Sequence, residues 1–180
     1  MKIKIVKDNK PSLRKPCSVV DLPLTKEDSE LLKNMTEYLK LSQDEEYAKK
    51  HSIRAGVGLA APQVGVNKRM FVVYLKDEDK LIHLELVNPK ITELSVKMCS
   101  LKGGEGCLSV DGKHEGLVHR HFKIKLHAFN QVSGMEEDIV LSGYPAIVLQ
   151  HEYDHLDGVL FYDRIDIINP FRLLPNEVEI

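Results

Sequence analysis

His151-Glu152-Tyr153-Asp154-His155 carries the strongest chemical signal in the chain. Two histidines at i and i+4 share one face of a helix, so both imidazoles can bind one metal ion. Glu152, one residue on from His151, points about 100° around the helix, which suits a general base acting on a water at the metal's open position. HExxH is short enough to arise by chance on a solvated helix. Here Ile147, Val148 and Leu149 run straight into it, so part of the segment must be buried. Two buried histidines beside a Glu need a reason, and a divalent metal supplies one.

A catalytic site of this kind takes three protein ligands and leaves one position open. The pattern HExxHxxGxxH would put the third ligand at position 161, which is Phe161, so that subclass fails. Glu177 lies 22 residues after His155, but Asn169-Pro170 and Leu174-Pro175 interrupt the tail, and no helix of useful length could bring it back. Cys107 lies in Gly103-Gly-Glu-Gly-Cys-Leu-Ser-Val110, where glycines on both sides of Glu105 let the backbone come close to a metal or a substrate. A Cys/His/His set with a fourth position for water is chemically sensible. Taken alone, the glycine-rich stretch also reads as a simple turn. Cys17 and Cys99 read as packing or surface thiols.

Residues Gly56 to Ala61 satisfy the dinucleotide pattern GxGxxA, yet a charged stretch up to Arg54 precedes them and Pro62 sits where a crossover helix would gain its hydrogen bonds. Nucleotide binding is rejected there. Gln63 then stands as a neutral amide donor on a loop, able to hold an oxyanion. Of the remaining histidines only His119 and His121 have even weak metal-like spacing, and these with His51, His83, His114 and His127 read as surface or hydrogen-bonded core residues.

These residues need elements to position them. From Thr25 to Lys50 the apolar Leu31, Leu32, Met35 and Leu39 recur at helical spacing, with Thr25 as N-cap, which predicts one long amphipathic helix. The Gly56–Gly65 stretch predicts a loop. Strands are expected over Met70–Leu75, Ile82–Val87, Ile91–Met98 and Phe122–Phe129, with a short one at Ile139–Leu141. Pro145 suits a first helical turn and Gly158 a helix stop, so a second helix carries the metal motif between them. One early helix, many strands and one late helix predict an α+β fold, antiparallel sheets packed around a central metal-binding helix.

The 180 residues suit one domain, 1–180, and 43% hydrophobic with 29% charged residues is the composition of a globular protein. A net charge of −2 leaves no global field to hold nucleic acid or an anionic membrane, so no specific DNA binding is expected. The longest uncharged run, Ala55–Asn67, is far shorter than the roughly 20 residues a membrane span requires. The charged N-terminus does not look like a signal peptide, and three cysteines are too few for a disulfide framework, so a cytoplasmic protein is expected.

Gly56-Val-Gly-Leu-Ala-Ala-Pro-Gln63, Glu105-Gly-Cys-Leu-Ser109 and His151-Glu-Tyr-Asp-His-Leu-Asp-Gly158 resemble the three signature motifs of bacterial peptide deformylase, in the family's order and without a gap. The resemblance runs to about Ile168, leaving the tail 169–180 outside it. The insertion-like Leu41–Ala55, and Val110-Asp111 where many members have a proline, resemble the longer subgroup found in Gram-positive bacteria and mycoplasmas. The tail lacks the long C-terminal helix of the shorter subgroup, so that helix's ribosome contact is not carried over, although a transient ribosome association remains part of the expectation. The resemblance implies removal of formate from the N-formylmethionine of nascent polypeptides by a monomer holding Fe²⁺, with Zn²⁺, Ni²⁺ or Co²⁺ as substitutes. By motif position it implies that Cys107, His151 and His155 hold the metal and that Glu152 moves the proton. It further implies that Gln63 and the backbone N–H of Leu108 stabilise the oxyanion, that Val57, Gly58 and Gly106 pair with substrate backbone, and that Val148 lines the methionine pocket. Two other readings stay open, an HExxH metal-dependent endopeptidase and a structural metal domain, although spacing suggests no fourth ligand for the latter.

Overall fold

Thr25 opens the first helix. Its hydroxyl accepts the backbone N–H of Asp28, and Lys26–Gln43 (α1) follows in the computed structural model, which describes residues 3–180. The helix ends earlier than its charge pattern predicts, because the Asp44 side chain accepts the Tyr47 N–H at 2.8 Å and starts a separate short helix, Glu45–His51 (α2). A side chain that caps a new helix competes with continuation of the old one. After a turn at Ser52, the chain forms Gly58–Ala60 (β1), a 3-10 turn over Ala61–Val64, and then Met70–Asp77 (β2). Gly65 closes the 3-10 turn at φ +87°, a left-handed conformation that glycine adopts without a side-chain clash.

The expected pair of strands on either side of Asn88-Pro89 is instead one strand, Lys80–Leu94 (β3), with a register shift between Val87 and Lys90. A bulge accommodates the proline, which has no N–H to give the ladder. Asn88, at φ +51°, turns its side-chain amide onto both backbone groups of Val20, which ties the N-terminal arm to the bulge. Met98–Ser100 (β4) then belongs to a different sheet, and Arg120–His121 (β5), Lys123–Asn130 (β6), Met135–Ser142 (β7), Tyr144–Leu156 (α3) and Val178–Glu179 (β8) complete the elements.

Five strands form an antiparallel sheet in the order β1-β2-β3-β6-β7, and β5-β4-β8 form a small second sheet in which the β4–β8 pair is parallel. The architecture is α+β. Because side chains alternate across a strand, β2 serves two cores: Phe71, Val73 and Leu75 pack with Ala146, Val148, Leu149 and Leu156 of α3, while Met70 and Val72 pack with Leu31, Leu32, Met35 and Leu39 of α1. Leu32, Met35 and Leu39 are fully buried, and each such side chain contributes about 2 kcal/mol by leaving water. α3 therefore lies against one face of the sheet, with its histidines held in the interior. No helix is long and apolar enough to cross a membrane among the described residues.

Candidate metal centre

α3 starts after Gly143, at φ +66°, with Pro145 in its first turn, and nearly all its side chains are buried. His151 and His155 share one face as their spacing requires, with ring centroids 5.0 Å apart. The glycine-rich loop brings Cys107 to them: its Sγ lies 3.3 Å from His155 Nε2, and one donor atom from each of the three residues lies within 4.8 Å of the other two. Among the described residues no fourth His, Cys, Asp or Glu joins this group. Glu177, the alternative third ligand, instead pairs with His119 at 2.8 Å and accepts the Leu174 N–H, and the tail carrying it has no helix.

The surroundings of the three donors fit a divalent cation. Burial pushes His155 well below the ordinary imidazole pKa, reinforced by the charge of His151. Burial also acts to lower His151, but hydrogen bonds with Cys107 and Glu105 outweigh it and hold that ring well above its ordinary value. Negative partners thus converge on a buried imidazole, and a cation among the three donors satisfies the same charge demand. The far nitrogen of His151, Nδ1, lies 2.7 Å from Glu105 Oε2, which leaves Nε2 for the centre and fixes the ring's orientation.

Sequence reasoning gave Glu105 no role of its own and passed over its partners. Arg120 from β5 donates to both Glu105 oxygens, at 2.8 and 3.0 Å, and reaches Asp154 at 2.6 Å. Asp154 also takes two bonds from Arg164 at 2.6 Å. Burial alone would raise the Glu105 carboxyl, yet bonds from His151 and Arg120 hold it down to about 2, so it stays an anion behind the histidine. The glycines flanking Glu105 were the one sequence signal for it. Nothing in local spacing marks Arg120 or Arg164, because they meet Asp154 only through the fold.

Glu152 is buried, and among the described residues its Oε2 has no hydrogen-bond partner. Loss of hydration raises its pKa to about 7. The backbone of β1 passes so close that a Cβ at Gly58 would collide with the Glu152 carboxylate. Gln63, on the 3-10 turn after β1, is locked by accepting the Ala60 N–H at 2.8 Å, and its Nε2 lies 3.1 Å from Ser109 Oγ and 3.4 Å from Cys107 Sγ. A cleft of about 320 Å³ opens beside these groups. Val57, Gly58, Gly106, Leu108 and Val148 line it together with Gln63, Cys107, His151 and Glu152, so the expected site residues other than His155 line one space.

A candidate one-metal site of Cys/His/His donors with a buried glutamate beside it, on an α+β scaffold, defines a metallohydrolase of the HExxH class. Residues 2–170 match the family model for polypeptide deformylase. A peptide deformylase of Oceanobacillus iheyensis is 47% identical over 173 residues, covering 96% of this chain and 94% of that protein. One from Staphylococcus epidermidis is 47% identical over 178 residues, covering 98% and 97%. Among solved structures, a probable peptide deformylase from Synechococcus phage S-SSM7 superposes with TM-score 0.74 at 38% identity, over 91% of this chain and 100% of that one. Arabidopsis thaliana peptide deformylase 1B in complex with an inhibitor gives TM-score 0.74 at 34% identity, over 92% and 83%. The chain belongs to the polypeptide deformylase family, a metal-dependent family of hydrolases.

Proposed function

We propose that this protein removes the formyl group from N-formylmethionine at the start of newly made polypeptides, releasing formate. The observation that carries the chemistry is the convergence of Cys107, His151 and His155 within 4.8 Å beside a cleft lined by Glu152, whose Oε2 has no hydrogen-bond partner among the described residues. The three donors hold the metal, read as Fe²⁺ from the resemblance, with Zn²⁺, Ni²⁺ or Co²⁺ as substitutes. When bound, the ion polarises the formyl carbonyl and makes water more acidic.

The remaining steps belong to the protein. Glu152 Oε2 accepts a proton from the attacking water and returns it to the departing amine nitrogen, and a carboxyl pKa near 7 suits both transfers at neutral pH. Gln63 Nε2 and the Leu108 N–H donate to the oxygen that gains charge, a stabilisation of about 3 kcal/mol per donor in comparable hydrolases. β1 lies at the edge of its sheet, so substrate backbone adds alongside Val57 and Gly58 and is met across the cleft by Gly106. Val148 lines the methionine pocket. Gln63 and the 103–108 loop close around the carbonyl carbon, where formyl presents only hydrogen. Residues 1–180 are read as one catalytic domain, monomeric and cytoplasmic, which meets its substrates through a transient ribosome association.

The test is formate release from formyl-Met peptides, set beside mass analysis of acetyl-Met and unformylated peptides. Formyl-Met peptides lose formate, acetyl-Met peptides react at least about tenfold more slowly, the cost of one methyl against rigid packing, and internal bonds stay intact. Cleavage of internal bonds at rates comparable to formate release would make the protein an endopeptidase.

A further inference from the structure

Arg54 lies next to last in the Leu41–Ala55 segment, whose role the mechanism leaves open, and its guanidinium sits on the turn that carries Cys107 and Leu108. A single nitrogen, Nη2, lies 3.0 Å from Cys107 O, 2.9 Å from Leu108 O and 3.0 Å from Val110 O, with the Asp111 carboxylate at 3.5 Å. Two N–H bonds are thus shared among three carbonyls. Other donors complete the set: Lys7 Nζ reaches Leu108 O at 3.1 Å, the Asp8 N–H reaches Ser109 O at 2.9 Å, and the Val110 N–H reaches Cys107 O at 3.2 Å. All four carbonyls from 107 to 110 are therefore held by donors, and Arg54 is the cation common to three of them.

The Cys107 carbonyl and the Leu108 N–H belong to one peptide unit. In a planar trans peptide the two point in opposite directions, so a carbonyl turned onto Arg54 turns the Leu108 N–H away from it. A cationic donor on the carbonyl also draws electron density through the unit and makes its N–H a stronger donor. We propose that Arg54 is a positioning residue for the reaction, orienting and polarising the Cys107–Leu108 peptide so that the Leu108 N–H meets the charge developing on the formyl oxygen. This rests on the reading of Leu108 as an oxyanion donor. Lysine is a poor substitute, because its point charge cannot span the fork of carbonyls that one guanidinium serves.

The test uses the zinc-loaded protein with Arg54→Met and Arg54→Lys. For a formyl-Met peptide, Arg54→Met lowers kcat by about 3- to 10-fold, a fraction of the loss from deleting an oxyanion donor outright, while KM and zinc content stay at wild-type values. Arg54→Lys falls between. In the same samples the Leu108 amide nitrogen resonance moves upfield in Arg54→Met, as expected when a hydrogen bond to the preceding carbonyl is lost. Unchanged kcat overturns the proposal, as does a rise in KM alone, which would mean that Arg54 touches substrate. Loss of zinc or of the fold in Arg54→Met would make it a structural post and equally overturn it. Wild-type protein that releases no formate would sink the deformylase reading instead, while the Leu108 resonance would still report whether Arg54 acts on that peptide.

Discussion

Three thiols are buried, and their surroundings separate them. Burial pushes Cys17 and Cys99 up to about 11, so both remain protonated at neutral pH and are poor ligands. Cys107 alone lies against an imidazole nitrogen and a side-chain amide. Cys107→Ala should lose tightly bound metal and formate release together, whereas Ala at position 17 or 99 should leave metal content near wild type. Metal analysis of the three purified variants decides it, and full retention in Cys107→Ala would contradict the ligand set. The residues gathered at the candidate centre are legible because they are written in types and short spacings: an i, i+4 histidine pair, a cysteine among glycines, a glutamine on a broken loop. Glu105, Arg120, Asp154 and Arg164 are not. The pairs are 15 residues apart from Glu105 to Arg120, 34 from Arg120 to Asp154 and 10 from Asp154 to Arg164, and the network exists only once β5 and α3 are packed together.

At the scale of elements, β1 works by having no side chain at one point. Gly58 lets the strand pass against Glu152, and Gly58→Ala would force that buried carboxylate aside. A displacement of about 1 Å at a catalytic group costs on the order of 10²-fold in rate, so this variant should keep its metal and lose kcat to that extent. Metal content beside formate release checks both halves, and wild-type turnover would show that Glu152 has room to spare. The same elements show where sequence reading falls short. The Thr25 cap and the Leu31, Leu32, Met35 and Leu39 stripe were legible as a helix, but its end was not, because Asp44 fits a helix as well as it caps the next one. Asn88-Pro89 reads as a strand break by local rules, and the Asn88 contact with Val20, 68 residues away, is what carries the chain through as a bulge.

Across the whole molecule, the tail is joined to the site's support rather than to the site. β8 pairs with β4, the Ile180 N–H donates to Ser100 O while Ile180 O accepts the Lys102 N–H, and Glu177 holds His119, the neighbour of Arg120. Its two prolines ruled out a helix, whereas a two-residue strand is too short to leave a periodic pattern. This support carries charge that the folded state must keep. Glu105 is held down to about 2 against an ordinary 4.5, so between those values the unfolded chain binds a proton that the native chain does not. The resulting stability, about 3 kcal/mol for such a shift, is complete above pH 4.5 and is lost as pH falls toward 2. Urea unfolding followed from pH 6 to 3 should therefore show a steeper decline for wild type than for Glu105→Gln, and parallel curves would deny Glu105 its anionic role. In the proposed mechanism Glu152 moves a proton beside a metal it does not hold. Glu152→Gln measured for metal stoichiometry and formate release together is the most direct test of that role. One metal per chain should remain, with turnover lower by about 10²- to 10⁴-fold; metal lost along with activity, or formate released at the wild-type rate, would contradict it.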